Sequence, residues 1–591
     1  MLTLQNAGFD YQPNIDLSSY KDLAIGSMDK ICRHCKAKKW KKETDGLCCG
    51  NGKIKPPEIQ APQPLKGLME GETADSKSFL KSTRPFNSMF QMSSFNAKQV
   101  KPQSGFKGSF KIQGQVYHQM GALQSSKSEE AKFVQIYFIN NAREQTDRRC
   151  NVIQNLDRKI VEELQAMLHE HNELINSFKT AVEKEGLDDE VRIVIRADKI
   201  PGQHKGTTNA PSVNEVAVLL TNEKAGKRDI VLERRTNDPN KLTIIDSGHA
   251  KYDSLQYPLI LAYGQDGFDL NKKIKTEEKS ETMLQFYKFH LMVRENSENH
   301  LLKCRELFQQ YIVDQFAKIE SQRIGYIKTH QEKLRRDKYT RVIHAEDGNL
   351  NSIGQKVVLP STFTGSPRYM WKKQQDALTY VRKHGHPDLF ITFTCNPKWD
   401  EIEKELFPGQ TATDRPDLVD RVFKLKLKLM VELVTKKELF GPAVAFMYSV
   451  EFQKRGLPHA HMLLWLQNSI RPTDIDRVIS AEIPDKNKDP LLYDIVMRNM
   501  VHGPCGQINM NSPCMKDKKC TKKYPKEWTQ NTKSDQDGYP QYRRRKLEDG
   551  GHEAVIVRGR EIYDIDNRNV VPYNPLLLRI FNSHINFRAL H

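Results

Sequence analysis

Within residues 451–466, EFQKRGLPHAHMLLWL, two imidazoles, a carboxylate and an amide crowd into one short stretch. On a β-strand residues i and i+2 share a face, so His459 and His461 project together while Ala460 points the other way. The flanking VAFMYSVEFQ and HAHMLLWL are rich in β-branched and aromatic residues, and KRGLP between them supplies turn residues. This predicts a hairpin with a five-residue loop at 454–458. In that register Gln453 faces His459 and Glu451 faces His461, with all four side chains on one face. Imidazole nitrogens with a carboxylate or amide oxygen suit a divalent ion and leave positions open for substrate oxygens. Glu451 and Gln453 both stand as the third ligand. Two core histidines one residue apart would instead need partners that an apolar hairpin does not offer.

The cysteines fall mostly in two groups: Cys32, Cys35, Cys48 and Cys49, then Cys505, Cys514 and Cys520 with His502 nearby. The opening MLTLQNAGFDYQPN lacks the basic and apolar regions of a secretory signal, so a reducing compartment is expected. There, clustered cysteines read as metal ligands rather than disulfides. Cys32-x-x-Cys35 with Cys48 or Cys49 has knuckle-like zinc spacing. Adjacent Cys48 and Cys49 are poor equal partners on one tetrahedral ion, which leaves His34 or the spare cysteine for the fourth position. His502, Cys505, Cys514 and Cys520 form a second candidate zinc set at irregular spacing. Either ion would be structural, since small Cys-rich units have little core of their own.

Lys+Arg exceed Asp+Glu by 92 to 74, a net charge of +18, which favours a polyanionic partner such as nucleic acid. KAKKWKK (36–42), with Lys38, Lys39 and Trp40, and YRRRK (542–546), with Arg543, Arg544 and Arg545, mix basic and aromatic side chains. Such groups pair phosphates and stack unpaired bases. A solvated face is the ordinary fate of a charge run; beside a cysteine knuckle and paired histidines, DNA contact is the expectation. No stretch reaches the roughly 20 apolar residues of a membrane span. No G-x-x-x-x-G-K-[ST] loop occurs, since PGQHKGTTN at 201–209 lacks the lysine after its second glycine. Neither a membrane nor a nucleotide cofactor is therefore expected.

These sites need an α+β, multi-domain frame to position them. The expected segments are a Cys-rich basic piece at 1–53, a Pro-rich linker at 54–75, an α+β region at 76–280 with a scaffold or DNA-binding role, a helical segment at 281–345, and the hairpin-bearing domain at 346–591 with a Cys-containing insertion at about 500–545. Apolar spacing predicts helices over 157–185, within LLKCRELFQQYIVDQFAKIESQRIGYI, and over 416–438. In the middle one Phe308, Tyr311 and Phe316 are expected in the core. EVRIVIRA, NEVAVLL and RDIVLERR read as short strands, and DLFITFTCNP as a strongly apolar one.

GLPHAHMLLWL resembles the His-hydrophobic-His motif of HUH endonucleases, the rolling-circle Rep proteins, relaxases and related transposases. DLFITFTCNPKWDEI (388–402) resembles the Rep strand motif that precedes it. With LPSTFTGSPRYMWKKQQDA, AEIPD, CRHC…CCGNGK, SLQYPLILAYG, ELFQQYIVDQFAKIESQR, MVHGPCG and YPQYRRR, the ordered set resembles the amino-terminal Rep part of Helitron transposases over about residues 30–586. The resemblance implies an HUH-type antiparallel sheet flanked by helices in the C-terminal half. It also implies Mg2+ or Mn2+ on His459 and His461 with Glu451 or Gln453, single-stranded DNA at transposon ends as the partner, and the nucleus as the place of action. Thr392 and Thr394, on the neighbouring strand motif, would line the site among its DNA contacts. In the family the ion polarises the scissile phosphate and a tyrosine on a following helix attacks it.

That helix follows the NPLLLRIFNSHIN stretch in the family, where this sequence runs only to FRALH. The resemblance then implies a Rep fragment truncated before its nucleophile and without the superfamily-1 helicase, which a separate helicase would supply. Tyr539 and Tyr542 straddle Pro540 and match a different family segment, which makes them poor substitutes. The alternative is a domesticated or decayed DNA-binding protein with a vestigial metal site. A metal-dependent hydrolase with a water nucleophile is a third reading, which ignores the motifs outside the hairpin.

Overall fold

Apolar residues at helical spacing close on one another in the N-terminal half, and strand alternation does the same in the C-terminal half, giving two cores. The computed structural model describes residues 4–99, 112–120, 131–177, 179, 230–233, 242–245, 250–269, 282–331 and 358–590, apart from 296, 298, 453–455, 507–508, 513, 535–539 and 559–560. The chain is α+β and multi-domain, as its patterning predicts.

Among the helices that frame the first core are α1 (Arg158–His171), α2 (Tyr252–Gln256), α3 (Met283–His290) and α4 (Glu306–Thr329). They bury Leu164, Leu168, Leu255, Phe286, Phe308 and Tyr311 together. The Asp157 side chain accepts from Lys159 N–H and starts α1. The helix breaks at Asn172, which turns extended while its side chain accepts from Leu174 and Ile175 N–H; helical residues resume at 173–177, and 180–185 lie outside the described residues. On α4 the buried stripe runs Leu307, Tyr311, Asp314 and Lys318. Phe316, expected in the core, lies two residues from Asp314 and so faces away, 63% exposed. Of the predicted short strands, RDIVLERR contains Ile230–Glu233, which joins Ser94–Gln99, Ile112–Met120 and Leu242–Ile245 in one sheet. EVRIVIRA and NEVAVLL lie outside the described residues.

The second core belongs to a four-stranded sheet. Its elements are α5 (Pro367–His384), β1 (Leu389–Thr394), α6 (Pro416–Thr435), β2 (Ala443–Phe452), β3 (Pro458–Leu466), α7 (Pro490–Asn499), α8 (Pro575–Phe581) and β4 (Ile585–Ala589). The strand order is β4-β1-β3-β2, antiparallel at every pair. Alternation sends Leu389, Ile391, Phe393, Ala460, Met462 and Leu464 to one face, against Leu418, Val422, Phe423 and Met430 of α6. Burying each of these larger side chains is worth roughly 1.5–3 kcal/mol. The same alternation commits Thr392, Thr394, His459, His461 and Asn586 to the opposite face. Among the described residues no helix is long and apolar enough to cross a membrane.

Candidate functional site

The hairpin loop lies one residue earlier than its turn residues predict, which moves the cross-strand pairing by two residues. Phe452 pairs with Pro458, so Glu451 faces His459 and Ser449 faces His461. Gly456, in the turn, takes φ +83°, which a side chain would resist. Gln453 lies outside the described residues. Glu451 nevertheless reaches both rings, one directly opposite and one on the diagonal. Its Oε1 is 2.6 Å from His461 Nε2 and 3.4 Å from His459 Nε2, and the two Nε2 atoms are 3.0 Å apart. The rings meet edge to face, 4.7 Å between centroids at 89°. Burial lowers the pKa of the His459 imidazole, and His461 beside it adds to the shift against the opposing pull of Glu451, which favours the neutral ring. The Glu451 side chain is 59% exposed, which leaves the site open on that side.

β1 forms the wall behind the histidines. Thr392 pairs with His461 and Thr394 with His459 in the strand register. Thr392 Oγ1 lies 3.2 Å from His461 Nδ1, and the Phe390 ring stacks on that imidazole at 5.6 Å and 6°. Among the described residues, Thr394 Oγ1, His459 Nδ1, Asn586 Oδ1 and Ser583 Oγ are buried with no hydrogen-bond partner. Two imidazole nitrogens, one carboxylate oxygen and a margin of unsatisfied buried polar atoms fit a divalent ion that keeps open positions for other oxygens. His584 was not evident from the sequence as a neighbour of this site. It is half-buried, its Nδ1 is 2.8 Å from Asn499 O, and its carbonyl accepts Thr394 N–H at 3.0 Å. Burial lowers its pKa and His459 adds to the effect. Its only sequence signal is membership in the NSHIN stretch.

Both cysteine groups assemble, each with its ligand atoms within 4.8 Å of one another. In the first, Cys48 and Cys49 both contribute: Cys49 Sγ is 3.8 Å from Cys32 Sγ and from Cys48 Sγ. The spare cysteine thus fills the fourth place, while His34 stands outside and accepts from Arg33 Nε. Burial opposes ionisation of Cys32, but the backbone N–H groups of Cys35 and His34 overcome it and bring that thiol down to about 6. Burial pushes Cys48 and Cys49 up. In the second group His502 Nε2 lies 3.4 Å from Cys520 Sγ, and burial pushes Cys505 up to about 12. Both sets can hold a metal ion such as zinc.

Of the basic stretches expected to touch DNA, part turns inward, while Lys36, Lys41 and Lys546 stay exposed. Trp40 is fully buried under Arg421, 4.8 Å from its ring, and Arg421 is held by Glu43 at 2.8 Å. Lys39 is buried too, with its ammonium on the carbonyls of Thr44 and Asp45, and Lys38 lies 3.5 Å from Glu295. Arg544 is buried and donates to the carbonyls of Ala481, Asn567 and Val570. Arg545 grips Glu482 with both nitrogens, and Arg543 pairs with the same carboxylate at 3.3 Å. Lys39, Trp40 and Arg544 are thus buried, and Lys38, Arg543 and Arg545 are engaged by carboxylates distant in sequence. Tyr542 is a core residue whose phenol accepts Ala589 N–H, which removes it as a nucleophile. Tyr539 lies outside the described residues.

Residues 286–464 match the family model for the Helitron helicase-like domain at N-terminus. The match runs from α3 into β3 and takes in both histidines and Glu451. No curated protein matches the chain.

Proposed function

We propose that this Helitron-related chain, whose residues 286–464 form a Helitron helicase-like domain, is a Rep-type protein of a rolling-circle mobile element. It holds single-stranded transposon ends in the nucleus against Mg2+ or Mn2+ at Glu451, His459 and His461. One observation carries the reading: three donor atoms from two strands converge on one point, in the segment that matches the family. Bound there, the ion polarises a phosphoryl oxygen and offsets the charge that builds on it. Glu451 contributes the negative charge that draws a cation, and the two imidazoles contribute neutral nitrogen donors. β1 limits how far the His461 ring can turn, through Thr392 on its Nδ1 and Phe390 stacked upon it. The cysteine groups hold structural zinc in this reading.

The tyrosine chemistry of such proteins is not assigned to Tyr542 or Tyr573. Both are core residues, and the Tyr573 phenol donates to the Glu482 carbonyl at 2.9 Å. We read the chain as related to DNA nicking and joining transesterases, with metal and single-stranded DNA binding as the activities that these residues support. Calorimetric titration of the intact, zinc-loaded chain with Mn2+ tests this. Wild type is expected to take up one ion, and His459→Ala/His461→Ala to lose it while still binding a single-stranded oligonucleotide. A wild type that binds DNA but no Mn2+ or Mg2+ would replace this reading with that of a decayed DNA-binding protein. A covalent adduct with a labelled single strand in Mn2+ would show that the chain carries its own nucleophile.

A further inference from the structure

In the KAKKWKK and YRRRK stretches Lys39, Trp40 and Arg544 are buried and Lys38, Arg543 and Arg545 are paired with carboxylates, whereas α5 carries its cations without such partners among the described residues. α5 is an 18-residue helix in which no residue is buried. Ser366 caps its start, with Oγ accepting Tyr369 N–H, Pro367 opens the first turn, and Gly385 at φ +75° ends it. Its contact with the sheet is at the far end. Tyr380 packs 5.9 Å from the Trp465 ring, and Trp465 Nε1 donates to Gly385 O at 3.0 Å. Trp465 shares its strand parity with His459 and His461, so α5 is moored on the histidine face.

Arg368, Lys372, Gln375, Thr379 and Arg382 follow one another at spacings of four and three, which lines them along one side of the helix. Lys383 lies beside that line. No basic residue of α5 forms an ion pair among the described residues, in contrast to the buried or paired arginines of the other stretches. Trp371 and Leu378 border the same line, and Trp371 is 59% exposed. A row of unpaired cations edged by an exposed indole is the arrangement that tracks a sugar-phosphate backbone and stacks an unpaired base. A partner helix would match the apolar positions but leave the cations unanswered. At about 1.5 Å per residue the helix spans about 27 Å, room for several nucleotides.

We propose that α5 is the single-stranded DNA track of this protein, with Arg368, Lys372, Arg382 and Lys383 on phosphates and Trp371 stacked on a base, leading toward the Glu451/His459/His461 site. The proposal rests on the metal-site reading only for where the strand goes, not for whether α5 binds it. It is tested on the full chain by fluorescence anisotropy with labelled dT20 in the absence of divalent ions, across a salt series. Arg368→Gln/Lys372→Gln/Arg382→Gln/Lys383→Gln is expected to bind at least tenfold more weakly. Its log K against log salt slope should shrink by about 2–3, since each phosphate contact on a single strand contributes about 0.7. Trp371→Ala is expected to lose about five- to tenfold with the salt slope unchanged. Because α5 buries nothing, both variants should melt with wild type. His459→Ala/His461→Ala should leave dT20 affinity untouched, which separates failure of the track from failure of the metal site. Wild-type affinity and slope in the quadruple variant overturn the proposal, as does a wild type that does not bind dT20. A change of oligomeric state with unchanged DNA binding in Trp371→Ala would instead assign the face to a protein partner.

Discussion

Two sets of ionisable side chains are gathered in this chain, and they are treated in opposite ways. Around Asp253 the charges answer one another inside the helical core. Lys318 Nζ is 2.7 Å from Asp253 Oδ1 and donates to the Tyr287 phenol at 2.8 Å. Tyr287 in turn donates to Asp253 Oδ2 at 2.6 Å, and the Lys318 ammonium sits over the Tyr252 ring at 4.6 Å. Gly267 approaches so closely that a Cβ there would collide with Asp253 Oδ2. Neither charged residue reaches solvent. Around Glu451 the carboxylate is open, donor nitrogens converge on one another, and buried polar atoms on three strands lack partners among the described residues. A sealed, answered set has no capacity left for a ligand, so it holds the fold. An open, unanswered set has that capacity.

The comparison breaks hardest at Lys318. Lys318→Met leaves the Asp253 carboxylate buried without its counter-charge, and removing one member of such a pair costs about 3–5 kcal/mol. The urea midpoint of the helical half should fall accordingly, while Mn2+ uptake by the folded fraction stays as in wild type. An unchanged midpoint would mean that the pair is not what holds this core.

A second test of the sealed side uses protons. His300 is fully buried, and burial pulls it down to about 4, with Nε2 3.1 Å from Leu259 O. The unfolded chain takes up this proton first as pH falls, so stability is full above about 6.5 and drains between there and about 4. By linkage that shift is worth about 3 kcal/mol. His169, lowered to about 4 chiefly by burial, pulls in the same direction. Chemical denaturation at pH 7.5 and pH 5 should show the helical half losing stability, and His300→Gln should flatten the dependence. Equal slopes in the variant and wild type would sink the assignment.

The two sides also differ in how far the sequence discloses them. Paired histidines at i and i+2 stay on one face whatever the loop does, so the ligand pair was legible. The register was not, because turn residues locate a loop only to within a residue or two. Glu451 survives that error because its side chain reaches the diagonal neighbour as well as the opposite one. Asp314 and Lys318 lie on the buried stripe of α4, where hydrophobic patterning would have placed Phe316. Trp40 and Arg544 look like surface groups in sequence, since nothing local shows that Arg421 will cover one and distant carbonyls will receive the other. Conversely, α5 carries several apolar side chains, yet none is buried. Composition indicates that a charge run exists; only long-range pairing decides which run remains free.

On the open side the largest effect belongs to the ligands themselves. His459→Ala/His461→Ala should weaken Mn2+ by more than 100-fold, about 2.7 kcal/mol or more. Melting should change little, because the rings stack on a wall that β1 already supplies. A variant that loses the fold along with the ion would place this pair in the same class as Asp253 and Lys318.

The finest discrimination comes from Thr392. A hydroxyl can accept from an imidazole N–H or donate to an imidazole nitrogen, so Thr392 can stay bonded to His461 Nδ1 in either protonation pattern of the ring. With Glu451 2.6 Å from Nε2, that adaptability lets Nε2 exchange a proton for a cation without losing its support. Outer partners of this kind are typically worth about 10-fold or more in metal affinity. Thr392→Val keeps the shape and strand propensity but removes the hydroxyl. It should bind Mn2+ about tenfold more weakly than wild type with unchanged melting, and Thr392→Ser should restore most of the loss. If Val binds as tightly as Thr, Phe390 stacking alone orients the ring, and the threonine belongs with the groups that merely complete a strand.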